Sequence, residues 1–351
     1  MKKIIVLLGI LLPSLQISSQ TVKYSIVEKN PDLYKKTVLS IDLFDADLCV
    51  GATLGMGLRL ETQVANFVPW VQYKFSYLDG NNSDFIDIKP AAGLHNQKLL
   101  EIGSTWFFKD KNTDCSVKVV LHSQSSSSTS RGVTTTTTYS KYVDVPSSKK
   151  SMLGVDFGLL RSMRSIELDH SLGEDDWQNP WWSYETPDGS LHVPIFDAGS
   201  DNGSTPQPAG SQWLPGTNYN SNTIFLGLRS RKVINTVINA EGWGKKFNKS
   251  ITDFYFQLMY APDSKLETML DKNGKEWILV PNSKKMNRNL GWRIGLNYKR
   301  FNFLQATVEL GYKPGPKIKL KGTLDNGFYL GIGMGFFIGT KHRFLSNSQA
   351  S

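Results

Sequence analysis

Cysteine and histidine are scarce in this chain, and the short motifs that most often carry catalysis are missing. Two cysteines, Cys49 and Cys115, and five scattered histidines occur in 351 residues. No HExxH, GxSxG or CxxC segment is present, and the glycines do not form a phosphate-binding loop before a helix. The sequence therefore predicts no metal site and no cofactor. The two cysteines could form a disulfide, but sequence alone does not show that they meet.

Basic runs interleaved with aromatics are also missing, which argues against nucleic acid as a partner. The formal net charge is +9 at pH 7, and it falls to +7 if an N-terminal segment carrying Lys2 and Lys3 is removed. This modest basic excess suits a soluble protein or one at an anionic membrane surface.

Long hydrophobic runs are confined to the N-terminus. "MKKIIVLLGILLPSLQISSQ" has two lysines, an apolar run from Ile4 to Leu15, and small polar residues near Ser19. This order is typical of a secretory signal peptide, and the run is too short for the roughly 20 residues of a membrane-anchoring helix. We predict a signal peptide over 1–19, a mature chain from Gln20, and a periplasmic N-terminal arm over 20–36.

The rest of the chain shows repeated alternation of apolar and other residues, which predicts β-strands with two different faces. In "NGFYLGIGMGFFIG", residues 326–339, large apolar side chains alternate with glycines. Soluble antiparallel sheets also alternate. However, several segments keep the pattern for about 10 to 14 residues, near the length of a tilted membrane strand. Aromatic residues such as Phe328 and Phe336 bracket aliphatic ones, as in the interfacial girdles of membrane barrels.

The connections between predicted strands alternate in length. We predict twelve strands, with ten or fourteen as alternatives, over 37–48, 51–64, 67–78, 97–108, 115–124, 134–144, 151–164, 221–233, 252–261, 289–300, 302–312 and 325–339. Connections after even strands are mostly short and those after odd strands mostly long, the latter including 125–133 and 165–220. Transmembrane barrels pair short periplasmic turns with long external loops. The sequence thus predicts an all-β protein, a single antiparallel transmembrane barrel over 37–339, with 165–220 as a large extracellular loop.

The aromatic-rich final strand resembles the closing strand of Gram-negative outer-membrane β-barrel proteins. The resemblance implies a place in the outer membrane, contact with its lipid, and insertion by the barrel assembly machinery. The tail over 340–351 departs from this pattern.

Alternation also assigns charged residues to the barrel interior. The predicted lumen-lining set carries both signs with a basic excess: Arg59, Glu61, Lys74, Glu101, Lys118, Asp156, Arg229, Arg231, Arg293, Lys299 and Glu309. Two interpretations follow. The charges could line a pore that favours anionic solutes, or they could pair across the interior and plug it.

The connection over 165–220 holds four of the nine tryptophans. Its aromatics could pack into a lid or stack on a surface ligand or protein partner; the candidates are Trp177, Trp181, Trp182, Tyr184, Trp213 and Tyr219. In contrast, "HSQSSSSTSRGVTTTTTYS" is polar and of low complexity, and we predict an external hairpin tip there.

Asp169 and His170, followed by Glu174, Asp175 and Asp176, are similar to the acidic and histidine cluster of omptin-type outer-membrane proteases. A solvated loop explains the same residues, and no enzyme activity is predicted. Three function classes remain: a channel or passive transporter for small, including anionic, solutes or a part of a surface assembly; a closed-lumen barrel acting as scaffold or adhesin; and a secreted soluble β-protein.

Overall fold

A computed structural model describes most of the chain after the N-terminal segment. The described residues are 22–48, 52–79, 89–90, 96–130, 133–167, 182–185, 191–192, 216–267, 269–270, 276–281, 287–300, 303–316 and 327–340. They form a closed antiparallel barrel of ten strands, with one further strand outside it. No helix in this part of the chain is both long and apolar enough to cross a membrane.

The barrel strands follow one another along the chain as an up-and-down meander. They are β1 (Thr37–Leu48), β2 (Ala52–Thr62), β3 (Phe67–Asp79), β4 (Lys98–Ser130), β5 (Val133–Glu167), β6 (Gly216–Ala240), β7 (Gly244–Leu266), β8 (Leu290–Arg300), β9 (Leu304–Tyr312) and β10 (Phe328–Thr340). Each strand pairs with its neighbours in sequence, and β10 closes the barrel by pairing antiparallel with β1. Closure leaves no unpaired strand edge around the wall, as a membrane requires.

The two ends of the barrel differ. Thr37 and Thr340 lie side by side at one end, here called the near end, together with the link between β2 and β3. The opposite, far end carries the connections after β1, β3, β5, β7 and β9. The turn between β6 and β7 is tight because Gly242 and Gly244 adopt φ values of +76° and +67°, which a side chain would disfavour.

The outer face of the barrel is an apolar belt. Met334, Phe336 and Ile338 of β10 are 54%, 46% and 61% exposed, while Tyr329 and Phe337 point inward and are buried. The other strands also expose large apolar side chains, among them Leu60, Ile102, Leu159, Leu226, Leu258 and Val308. Such a continuous exposed apolar surface needs a covering of lipid or protein.

Aromatic rings flank this belt at both ends. Towards the near end Phe67 stacks on Trp106 at 6.2 Å between ring centroids, and Phe303 stacks on Phe336 at 6.5 Å. Towards the far end Tyr73 and Phe75 form a stacked pair at 6.0 Å. The aliphatic band with two aromatic borders matches the interfacial girdles of membrane barrels.

The strand count is ten because two pairs of predicted strands are continuous. Segments 97–108 and 115–124 belong to the 33-residue β4, and 134–144 and 151–164 belong to the 35-residue β5. The polar stretches "DKNTD" and "PSSKK", predicted as turns, lie opposite each other in the ladder between these strands. Two fewer strands narrow the backbone diameter from about 24 Å to about 20 Å, at a strand spacing near 4.8 Å and a tilt near 40°.

Strands β4 to β7 continue past the near end and form a small module there. Val117, Val119, Leu121, Val145 and Ile238 form its buried apolar cluster. The strand outside the barrel, Tyr24–Glu28, pairs antiparallel with Val237–Ala240 of β6 and covers this extension. The long connection predicted over 234–251 is therefore mostly strand.

The Ser/Thr-rich stretch projects beyond this module. Residues 123–130 and 133–140, here called the Ser/Thr ribbon, pair as two strands and are exposed on both faces. Cross-strand hydroxyl pairs run along one face, for example Ser125 with Thr138 at 2.9 Å and Thr129 with Thr134 at 2.9 Å. The ribbon lies at the near end of the barrel. The prediction that it lies on the same side as 165–220 is therefore wrong. The error came from cutting β4 and β5 in two, which moved the hairpin to the opposite side.

Short strands from three far-end connections form a cap sheet. Its order is Lys89–Pro90, Met269–Leu270, Glu276–Pro281, Trp182–Glu185 and Leu191–His192. Segments of the connections after β3, β5 and β7 are thus joined by backbone pairing.

Cys115 is a free thiol in β4, beyond the near end. Cys49 lies outside the described residues, so its pairing with Cys115 stays a prediction that the sequence leaves open.

Candidate functional site: the barrel interior

The interior is filled by side chains that the inward positions of all ten strands supply. Its near half centres on Arg231 of β6. The guanidinium donates to both carboxylate oxygens of Asp253, with Nε–Oδ1 at 2.6 Å and Nη2–Oδ2 at 2.8 Å, and also approaches Glu61 at 3.3 Å. Lys299 Nζ lies 2.8 Å from Glu61 Oε1, and Arg59 Nε lies 3.3 Å from Oε2. All five residues are buried.

A second cluster occupies the middle of the barrel. Arg229 donates to Asp156 Oδ2 at 3.1 and 2.7 Å, and the hydroxyl of Thr105 donates to Oδ1 at 2.9 Å. Arg293 makes a two-pronged contact with Glu101, the longer of its bonds being 3.1 Å. Every carboxylate here accepts several donors, which a buried charge requires.

Glu309 links this cluster to two tyrosines. Its carboxylate accepts hydrogen bonds from the hydroxyls of Tyr255 and Tyr329, the latter at 2.5 Å, and lies 3.6 Å from Arg293. Gly295 on β8 makes room for this arrangement, because a Cβ there would overlap the ring of Tyr255.

Aromatic rings separate the charged groups. Trp70 and Phe225 stack at 5.9 Å between centroids with an interplanar angle of 18°. Arg59 lies 4.1 Å above Trp70, and Arg293 lies 4.9 Å above Phe225. Guanidinium groups over aromatic faces gain cation–π stabilisation that grows when the site is desolvated. The rings therefore fill space and also hold the arginines in place.

The charged side chains in the far part of the interior also form pairs. Lys74 Nζ lies 2.9 Å from Asp45, Lys313 pairs with Asp47, and Gln97 donates to Asp47 at 3.0 Å. Among the charged side chains of the described residues lie cavities that include two with volumes of about 50 and 40 Å³. Such volumes hold only a few water molecules.

An apolar layer and the N-terminal arm close the near end. Tyr34 of the arm packs with Val68, Phe107, Met152 and Val233 in a buried cluster.

Polar contacts hold the arm in this position. Asn235 Nδ2 donates to the carbonyl of Asn30 at 2.9 Å. Lys150 donates to Asp32 at 2.7 Å, and this hydrogen bond lowers the pKa of the Asp32 carboxyl below its usual value. The arm is thus attached to the barrel by both apolar and ionic contacts.

Ten of the eleven residues predicted to line the lumen lie in these interior clusters; they are Arg59, Glu61, Lys74, Glu101, Asp156, Arg229, Arg231, Arg293, Lys299 and Glu309. Lys118 does not. It is exposed on β4 beyond the barrel, with Nζ 4.4 Å from the ring of Tyr142, while Val117 and Val119 take the inward positions. The prediction took 115–124 as a separate barrel strand, whereas these residues belong to the part of β4 that continues past the near end.

Sequence reasoning missed four interior carboxylates: Asp42, Asp45, Asp47 and Asp253. Asp253 alternates inward with Tyr255 and Gln257, so the pattern could have found it. Asp45 and Asp47 could not be assigned in this way, because a bulge over Leu43 and Phe44 shifts the register of β1. When these four residues are added to the interior set and Lys118 is removed, the interior has at least as many carboxylates as cationic side chains. The predicted basic excess of the interior is therefore wrong.

The predicted external aromatics have different locations. Trp177, Trp181 and Trp213 lie outside the described residues. The backbones of Trp182 and Tyr184 belong to the cap sheet, opposite Pro281 and Leu279.

Tyr219 is an inward residue of β6, only 3% exposed, and its hydroxyl donates to the carbonyl of Pro314 at 3.2 Å. Its assignment to an external recognition surface is wrong because β6 begins at Gly216.

The omptin-like segment, Asp169 to Asp176, also lies outside the described residues. Within the part of the chain that the structure describes, no group of three or more His, Cys, Asp or Glu side chains is placed to hold a metal ion. The charged groups of the interior clusters form ion pairs with one another, an arrangement that favours a fixed filling over solute binding.

No protein-family model and no curated protein matches the chain. Among solved structures, the chain has a weak likeness to the P. putida toluene transporter TodX, with 9% identity over 88% of this chain and 89% of that one, at a TM-score of 0.26. It also matches in-vitro folded OmpT, an outer membrane protein of Vibrio cholerae, with 10% identity over 89% and 99% of the two chains and a TM-score of 0.20. Likeness at this level carries no functional argument.

Proposed function

We propose that the protein is an integral outer-membrane β-barrel with a closed lumen, and that it serves as a scaffold through the parts that project from its two ends. The pairing of the buried interior charges carries this proposal. A pore that selects anions needs cations that face solute, whereas Arg229, Arg231 and Arg293 each contact carboxylates and are at most 4% exposed.

Planar-bilayer recording tests the closed lumen. Purified protein reconstituted in 1 M KCl should give no stepwise conductance, because paired, buried side chains occupy the middle of the barrel. A general porin reconstituted in parallel shows that insertion is detected. Reproducible conductance steps in the wild type, with a selectivity that the double variant Arg229→Gln/Arg231→Gln shifts toward cations, would support an anion-preferring channel instead.

The apolar belt, the two aromatic borders and the signal-peptide-like N-terminus support the outer membrane as the location. We expect outer-membrane lipid around the belt and insertion by the barrel assembly machinery. The near end, where both chain termini enter the barrel, is then periplasmic, and the far end with the cap sheet is outside the cell. The scaffold accordingly presents different surfaces to its two compartments: a polar Ser/Thr ribbon inside and an aromatic-rich connection outside.

Insertion of protease sites tests this topology. A site placed between β4 and β5, at the tip of the ribbon, should resist protease added to intact cells and be cut after the outer membrane is permeabilised. A matched site in the connection between β5 and β6 should be cut in intact cells. Cleavage of the ribbon site in intact cells would invert the topology, and equal cleavage of both sites in a soluble fraction would support a secreted β-protein.

A further inference from the structure

Three lysines lie on the barrel surface where the apolar belt ends at the near end. Lys109 and Lys111 belong to β4, and Lys232 belongs to β6. All three side chains are exposed. Lys111 and Lys232 are the ladder partners of Ser151 of β5, one on each side of it. The three residues are here called the lysine patch.

The ladder places the patch on the same face of the wall as the belt. Lys109 pairs with Leu153, whose outward side chain is 38% exposed, while the next residue of β5, Met152, points inward and is buried. Residues paired directly across antiparallel strands share one face of the sheet. The other two lysines of the patch both pair with Ser151, which alternates outward with Leu153, so they lie on the outer face as well.

The spacing within the patch allows the three side chains to act together. Lys109 and Lys111 are two residues apart on one strand, about 6.8 Å between Cα atoms, and Lys111 and Lys232 are separated by one strand, about 9.6 Å. Each ammonium group is at the end of a flexible stem and has three donors that rotate freely. Two neighbouring members of the patch can therefore contact the same phosphate group.

No carboxylate of the described residues forms an ion pair with the patch. Asp110, between the two β4 lysines, lies opposite the inward Met152, and its carboxylate is 2.8 Å from Lys150 Nζ. The patch therefore carries three positive charges that no acidic side chain neutralises in an ion pair. The neighbouring outer-face positions on β5, β6 and β7 hold apolar or hydroxyl side chains: Ser151, Leu153, Ser230, Thr252 and Phe254.

The aromatic border of the belt directly precedes the patch. Trp106 and Phe108 of β4 are exposed and contact each other edge to face at 6.2 Å, and Lys109 follows them in the chain. The exposed Phe254 of β7 lies in the same ladder row as Lys109. In a membrane, such rings lie at the boundary between acyl chains and headgroups. The lysines that come after the rings then lie at the level of the lipid phosphates.

We propose that the lysine patch binds the headgroups of anionic phospholipids in the leaflet at the near end of the barrel. The inference rests on the membrane location in the proposed function and adds a preference for one class of lipid. The phosphate lies among the three ammonium groups, while the acyl chains lie along the belt beside Leu153. A zwitterionic headgroup carries a cationic group of its own, which the patch repels.

Native mass spectrometry of the full chain in detergent micelles tests this preference. The probes are phosphatidylglycerol and phosphatidylcholine with the same acyl chains. Phosphatidylglycerol should bind more tightly, and Lys109→Gln/Lys111→Gln should weaken its binding about fivefold for each lysine removed. The matched control, Lys245→Gln/Lys246→Gln, removes two lysines beside the turn between β6 and β7 and should bind as the wild type does. Phosphatidylcholine should bind equally to all three proteins.

Glycerophosphate distinguishes a lipid site from a site for free phosphate, because it has the phosphate without acyl chains. In excess it should leave phosphatidylglycerol bound. Heat-dependent gel mobility establishes that each variant is folded. The proposal is overturned if the two lipids bind the wild type equally, if the patch variant binds phosphatidylglycerol as the wild type does, if the control variant loses as much affinity, or if glycerophosphate displaces the lipid.

These outcomes are separate from those that test the proposed function. An ion-conducting protein that still prefers phosphatidylglycerol would refute only the closed lumen. An inverted protease pattern would change only the leaflet that supplies the lipid. Loss of the lipid preference in a protein without conductance would refute only the role of the lysine patch.

Discussion

Replacing Arg231 by methionine is expected to lower the free energy of unfolding by about 3 to 5 kcal/mol, the range for breaking a buried ion pair by removing one partner. Arg231 is 2% exposed and contacts Asp253 through two hydrogen bonds and Glu61 through a third. Its loss leaves Asp253 buried without a hydrogen-bonded guanidinium, and the Arg229 guanidinium is 3.8 Å away. Urea-induced unfolding in lipid vesicles measures the change.

Two variants separate the ion pair from general effects of substitution. Lys232→Met changes the adjacent, outward and exposed residue and should alter stability by less than about 0.5 kcal/mol. The double variant Arg231→Met/Asp253→Leu removes both partners and should be more stable than Arg231→Met, because no uncompensated carboxylate remains. A single variant as stable as the wild type would show that the interior is hydrated and its charges screened, contrary to a closed lumen.

Ile332→Arg should cost about 2 to 4 kcal/mol, as expected for an arginine at the bilayer midplane on the lipid face of a barrel. Ile332 lies midway along β10, between Val308 of β9 and Ala46 of β1. Its outward neighbours Leu330 and Met334 continue the belt. Refolding from urea into lipid vesicles, followed by heat-dependent gel mobility, reports the loss.

The matched control is Ser127→Arg, an arginine on the Ser/Thr ribbon beyond the belt, which should insert as the wild type does. Gly333→Ala tests the inner face next to Ile332, where a Cβ would meet Thr307 and Asp42 at ordinary contact distances of 3.6 and 3.7 Å, and it should also be tolerated. Normal insertion of Ile332→Arg would mean that lipid does not cover this face.

Several features of the fold could be predicted from the local alternation of residues in the sequence. Arg229, Arg231 and Arg293 were assigned inward because period-two alternation follows directly from strand geometry. The residues at which β4 and β5 begin and end could not be predicted in this way. Past the belt, outward residues no longer need to be apolar. The polar residues "DKNTD", 110–114, were therefore predicted as a turn, although the ladder continues through them.

The prediction of the interior failed where it depended on register. The bulge in β1 places Asp42 and Asp45 on the same face, three positions apart, which simple alternation forbids. Asp45 then pairs with Lys74, and its neighbour Asp47 with Lys313. Without these carboxylates the interior looked more basic than it is.

By itself the sequence determined the fold class and the two faces of the strands, because alternation is a local property of an extended chain and the apolar outer face recurs along the barrel strands. Only the tertiary structure decided whether the lumen is filled. Lys299 and Glu61 are far apart in sequence yet lie 2.8 Å apart in the closed barrel. Whether inward charges pair or face solute depends on strand number, register and the docking of the arm, which are set by contacts between distant segments.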